Sequence, residues 1–171
     1  MHTLPILLST RQDYLHYWEN IAESNKAISH VPGSASQKRF FAGLESLAGI
    51  QAKGTILVVI PLPMRYGGEW DALQEIKRFQ FAVLQAMGQR TEEKLNEIVD
   101  ECKRVYSQII AKLILDSDPK VTGRLFHFMR PSEISAEELD YPQLNDGWVG
   151  VQGTVSMGNG ELFTYNAQHW K

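Results

Sequence analysis

Residues Thr91–Asp116 read TEEKLNEIVDECKRVYSQIIAKLILD, and the reading of this stretch decides the fold. Leu95, Ile98, Val99, Cys102, Val105, Tyr106, Ile109, Ile110, Leu113 and Ile114 recur every three or four residues without a break. An α-helix brings residues three and four apart onto one face, so the spacing predicts one continuous helix with a single apolar stripe. Thr91 supplies a capping oxygen, and Glu92 and Glu93 sit at the positive end of the helix dipole. Asp116-Ser117-Asp118-Pro119 stops the helix, because proline cannot continue it. At 1.5 Å per residue it is about 38 Å long, enough to lie across a whole sheet. Cys102 falls within the stripe, so it is expected to be buried against that sheet.

Upstream, Gly54 to Pro63 reads as a strand. Thr55-Ile56-Leu57-Val58-Val59-Ile60 is β-branched and apolar on both faces, as in a central strand. Pro61 and Pro63 are expected to end its pairing, with Tyr66-Gly67-Gly68 as an exposed connection. Phe79, Phe81 and Val83 alternate, although Ile76, Phe79, Val83 and Met87 also satisfy helical spacing. A strand across roughly Lys77–Ala86 is the favoured reading. Further back, Tyr14, Tyr17, Trp18, Ile21 and Ile28 predict a helix from Thr10 to Ile28, capped by Ser9 or Thr10, with Asp13 in its first turn. Val31 to Ser36 reads as a loop. Phe40, Phe41, Leu44, Leu47 and Ile50 read either as a short helix or as an irregular apolar segment.

Downstream, Arg124 to Met129 and Trp148 to Met157 read as strands. In the second, Val149, Val151, Val155 and Met157 share one face, and Trp148, Gln152, Thr154 and Ser156 share the other. That alternation predicts burial on one side only. Gly158-Asn159-Gly160 is a turn signal, with Glu161 to Tyr165 as a returning arm. The order of elements implies an α+β fold. It would be an antiparallel sheet of four or five strands, with the long helix and an N-terminal helix packed on one face. Residues 1–171 are expected to form a single domain, with 158–171 as a C-terminal hairpin arm or tail.

The totals agree with a globular domain: 171 residues, 43% hydrophobic and 22% charged. The net charge of -3 lacks the basic excess of a duplex-binding domain, so no specific nucleic acid is expected. A single cysteine excludes an intrachain disulfide and fits a reducing compartment. Met1 to Leu8 is broken by Pro5 and has no basic lead, so no signal peptide is expected. No apolar run approaches the ~20 residues of a membrane helix, so no membrane partner is expected.

Motifs that carry chemistry fail on spacing. Gly147, Gly150 and Gly153 lie in or beside a strand and open no helix, so they do not form a phosphate loop. Gly153-Thr154-Val155-Ser156-Met157-Gly158 has one residue too many before Ser156 for a nucleophile elbow. Ser34, Ser36 and Lys38 are wrongly spaced for a serine–lysine pair. Nothing in the sequence lowers the pKa of Cys102. His16, Glu19 and Glu23 share a helix face and could converge on a metal ion, but a solvated face is the simpler reading. His127, between Phe126 and Phe128, reads as a packed histidine. Lys38-Arg39 beside Phe40-Phe41 reads as a boundary between surface and core. No catalytic residue, cofactor or metal is therefore expected, and the chain is not expected to be an enzyme. The aromatic C-terminus stands apart. Phe163, Tyr165, His169 and Trp170 are candidate protein-interaction residues, docking either on the chain's own core or on a neighbouring subunit.

The layout resembles that of small phage and prophage proteins of the tail-completion or tail-terminator kind. The resemblance spans roughly Lys38 to Met157. It rests on Leu57-Val58-Val59-Ile60-Pro61, then Arg78-Phe79-Gln80-Phe81-Ala82-Val83-Leu84, then the helix ending in Ile109-Ile110-Ala111-Lys112-Leu113, and last Gly147-Trp148-Val149-Gly150-Val151. It implies a tail-terminator or connector ring subunit with no active site. Its partners would be copies of itself and other particle proteins, such as a tail tube or connector. Its location would be the host cytoplasm and then the virion or particle. The competing reading is a small-ligand-binding domain or enzyme whose site is assembled from distant residues such as His127, Asp146 and Glu161. A pocket of convergent, perturbed polar groups would mark the second reading. A sheet with exposed edges would mark the first.

Overall fold

The computed structural model describes residues 10–29, 54–67, 74–118, 120, 128–129, 134–141 and 147–158. In chain order the elements are α1 (Arg11–Ser24), β1 (Thr55–Gly67), β2 (Gln74–Ala86), α2 (Glu92–Ser117), β3 (Phe128–Met129), β4 (Glu137–Tyr141) and β5 (Trp148–Gly158). The sheet runs β1-β2-β5, and the far side of β5 is shared by β3 and β4. Every pairing between these strands is antiparallel. The fold is α+β, as the element order implies.

Both helices pack on one face of the sheet. Tyr14, Tyr17, Trp18 and Ile21 of α1 and Cys102, Val105, Ile109 and Leu113 of α2 share a core with Leu57, Val59, Phe79, Phe81, Val83, Val149, Val151, Val155 and Met157. Aromatic rings fill its centre. Phe81 stacks on Tyr106 with centroids 4.6 Å apart, and Trp18 lies 5.1 Å from Phe81. Such pairs add to the area they bury.

α1 starts where its capping box permits. Thr10 Oγ1 accepts from the Asp13 N–H at 3.1 Å, and Asp13 accepts from the Thr10 N–H at 2.7 Å. It ends at Ser24, short of the predicted Ile28. Asn25 N–H closes the last turn on Ile21 O, and Ile28 leaves the helix for a parallel bridge to Thr55. Ile28 is still buried, so its place in the stripe came from the core and its backbone from the sheet.

Three expectations about the strands are corrected. First, β1 is apolar on both faces, yet it is the outermost strand in the sheet order, not a central one. Second, pairing continues through the prolines to Gly67. Pro61 pairs with Phe79, which an edge strand allows because the nitrogen that lacks a proton faces no neighbour. Pro63 lies in a register shift between Leu62 and Arg65, a bulge where an unpaired residue is tolerated. Third, β5 is buried on both faces. Trp148 joins Ile56, Val58, Ala82, Leu84 and Leu139 in a second apolar cluster on the face opposite the helices. Gln152 is satisfied by Gln80, which donates at 2.9 Å, and donates in turn to Glu137. Strand β4 was not anticipated. The predicted strand over 124–129 is described only at Phe128–Met129, and the segments at 31–36, 40–50 and 159–165 lie outside the described residues.

Cys102 is fully buried on α2, with its thiol 4.0 Å from Val149 O. Burial, and secondarily the Glu101 charge, push its pKa up to about 12. In native buffer at pH 8 a bulky maleimide should therefore label Cys102 only at the rate of unfolding. Complete labelling within the mixing time would show that α2 does not seat on the sheet.

Candidate functional site

The four candidate interaction residues, Phe163, Tyr165, His169 and Trp170, lie outside the described residues, as do His127, Asp146, Glu161, Ser34, Ser36, Lys38, Arg39, Phe40 and Phe41. Of those that are described, His16 and Glu19 come together. His16 Nδ1 lies 3.4 Å from Glu19 Oε2 on an exposed helix face. No three His, Cys, Asp or Glu side chains among the described residues could hold a metal ion. Ser156 is buried within the β2–β5 ladder, opposite Arg78 and one pair from its end. Gly147 has φ of 65°, a left-handed turn into β5.

The titrating groups with large shifts sit in the core. Tyr17 donates to Asp116 Oδ2 at 2.5 Å, and Lys112 also reaches that carboxylate. Burial, and then the Asp116 charge and hydrogen bond, raise the Tyr17 pKa far above its ordinary 10.0. Tyr106 donates to Ser135 O at 2.6 Å, and burial raises its pKa to about 12. These bonds join distant segments: the first ties α1 to the end of α2, and the second ties α2 to the approach to β4.

The shifts have a sign. Above about pH 9 the unfolded chain releases the Cys102 proton, and above about pH 10 the tyrosine protons, while the folded chain keeps them. The unfolded state then binds fewer protons, so stability is intact below pH 9 and is lost as pH rises. Each group contributes about 1.4 kcal/mol per pH unit within its window. Urea titrations at pH 8, 10 and 11 should show this decline, and Tyr17→Phe should flatten it above pH 10. Parallel declines in wild type and variant would refute the assignment.

The surface offers grooves and two unlike sheet flanks. One groove of about 650 Å3 lies between the end of α1 and the middle of α2, lined in part by Asn25, Arg104, Gln108 and Lys112. Two of its cations are already engaged. Arg104 forms two hydrogen bonds to Glu101, at 2.6 and 2.9 Å, and Lys112 holds Asp116.

The β4 flank is acidic. Glu137, Glu138 and Asp140 are exposed, while Leu139 points into the second cluster. Lys103 pairs with Glu138 and Arg90 with Asp140, so the carboxylates also pin β4 beside α2. Charges on an outer strand discourage pairing with a stray chain. The β1 flank differs. Its first residues are buried, and Ile28–Ser29 lies against Thr55. Past Leu62 it is exposed, with Met64 and Tyr66 more than half accessible and Arg65 as its one charge. The sequence reading missed this contrast. Its visible signals were the two prolines, which suit an edge, and the acid–apolar–acid run Glu138-Leu139-Asp140.

What the fold and surface define is an α+β domain with a flanked antiparallel sheet. Among the described residues no helix is long and apolar enough to cross a membrane. The chain matches no protein-family model, no curated protein and no solved structure.

Proposed function

We propose that this chain is a non-enzymatic structural subunit of a phage or phage-derived particle, a tail-completion, tail-terminator or connector component that assembles with copies of itself. The observation that carries the reading is the distal half of β1, an outer strand whose Met64 and Tyr66 are exposed with Arg65 as its one charge, against the three carboxylates of β4. Large exposed apolar groups at an open strand mark contact surfaces. The order of strand, strand, long helix and final strand is also that of the phage proteins the sequence resembles. Core titrating groups engaged in structural bonds fit a scaffold better than a catalytic site.

The test is genetic and visual. Deleting the coding sequence from a producing strain should leave capsids without finished tails in electron micrographs, and supplying the chain in trans should restore them. The wild-type chain should also be present in purified particles by mass spectrometry. Normal particles from the deletion strain would overturn the proposal.

A further inference from the structure

We infer that Met64 is an oxidation switch on the outer edge of β1. A peroxide oxidises it in the folded chain ahead of every other described sulfur, and the sulfoxide loosens contact between copies. The effect on contact rests on the assembly reading above; the selective oxidation does not.

Met64, Met87, Met129, Met157 and Cys102 are the sulfur-bearing side chains among the described residues. Oxidation of sulfur follows access to it. Met64 is 52% exposed, whereas Met129 is 9% exposed and Met87 and Met157 less still. Cys102 does not compete. It is fully buried, and a pKa of about 12 keeps it a thiol, whereas peroxides attack the thiolate. One described sulfur is thus open to an oxidant, and it stands at the bulge of the outermost strand.

The step balances with hydrogen peroxide as the oxidant. A lone pair on Met64 Sδ attacks one peroxide oxygen, the O–O bond breaks, and the other oxygen leaves as water after proton transfer. Sulfur loses two electrons and the peroxide gains them. The surroundings suit the product. Lys77 Nζ donates to Met64 Sδ at 3.8 Å, and the same ammonium is anchored by Glu75 and lies 5.8 Å from the centre of the Tyr14 ring. A thioether is a weak acceptor and a sulfoxide oxygen a stronger one. Rotation about the last side-chain bonds brings the new oxygen towards that ammonium. Met64 belongs to neither apolar cluster, so the added oxygen displaces nothing in the core. The change falls on the surface alone. Met64 and Tyr66 are the large exposed apolar groups of distal β1, and oxidation turns one of them polar. A contact made there would then remove less apolar area from water.

Dilute hydrogen peroxide on the full-length chain tests the switch. Peptide mass spectrometry should find Met64 oxidised at least about tenfold faster than Met87, Met129 and Met157. The melting temperature should stay close to that of the untreated chain, because the site is exposed. In sedimentation at high protein concentration the oxidised chain should associate at least about threefold more weakly than the untreated one. Met64→Gln, polar and of similar length, should show the same weakening without peroxide. Met64→Leu should associate like the wild type both before and after treatment. Oxidation of Met64 no faster than that of the buried methionines would overturn the switch. So would selective oxidation that leaves association unchanged, or a Met64→Leu chain that peroxide still weakens; all three leave the assembly reading standing. A chain that stays monomeric at the highest attainable concentration, treated or not, would overturn the switch and count against self-assembly as well.

Discussion

Ile109→Asp is expected to destabilise the chain by about 4–6 kcal/mol, close to the whole stability of a typical domain. Ile109 is 1% exposed in the core shared by α1, α2 and the sheet. The substitution removes the burial of a large aliphatic side chain, about 1.5–3 kcal/mol. It also moves a carboxylate out of water into that core, which adds a similar or larger cost. Far-ultraviolet circular dichroism and urea titration read the loss directly. Ile114→Asp is the control. It lies on the same helix but is 46% exposed, so it should change stability by no more than about 0.5 kcal/mol. Equal effects at the two positions would mean that α2 does not present this face to the sheet.

Gly150→Ala should be nearly as damaging, through a different cause. Gly150 pairs with Leu84 on one side and Leu139 on the other, at the middle of the sheet. A Cβ there would run into Val83 O and would lie 3.0 Å from Leu84 Cα. These are backbone atoms of a paired strand, so they cannot step aside as a flexible side chain would. Overpacking of this kind costs about 3 kcal/mol, and more if the β2–β5 ladder is forced apart. Gly88→Ala separates close approach from backbone strain. Gly88 has φ of 61°, but its added Cβ would meet only Lys94 Nζ at 3.9 Å. Its cost should be roughly 1–2 kcal/mol, the strain of a left-handed residue. Thermal melts that ranked Gly88→Ala above Gly150→Ala would contradict the close approach of β2 and β5.

The parts of this fold legible in the sequence are those where a single periodicity runs long enough to be unambiguous. The stripe from Leu95 to Leu113 gave α2 its place, although Ile114, read as its last member, is exposed, and the alternation Phe79-Phe81-Val83 selected a strand over a helix for β2. The misreadings share a cause: a residue's local preference was settled by its neighbours in space. Pro61 disfavours pairing in a strand with neighbours on both sides, but β1 has a strand neighbour on only one. Gln152 and Ser156 read as solvent-facing, but β5 lies between β2 and the β3–β4 pair and is covered on both faces. Ile28 kept helical spacing with Ile21 while its backbone joined β1. β4 offers one inward apolar side chain, Leu139, among three carboxylates, too little alternation to mark a strand. Of the candidate site, the sequence pointed to the aromatic segment from Phe163 to Trp170, whereas the hairpin and β4 flanks emerge only once the strand order is known.

The position of β5 also governs the order in which the molecule comes together. β1 and β2 are close in sequence and close the ladder as a hairpin, whereas β5 must arrive from beyond α2 to lie against β2. Contacts between distant segments form late, because the chain loses more freedom in closing the longer loop. During synthesis, therefore, the inner edge of β2 waits with its backbone N–H and C=O groups unpaired until the ribosome has released Trp148 to Gly158. Pulse-labelled hydrogen exchange on the refolding chain should protect β1–β2 amides before those of β5, and simultaneous protection would contradict this order. A nascent chain halted between α2 and β5 would hold a sticky, half-built sheet, which makes that interval the one in which a chaperone matters most for this protein.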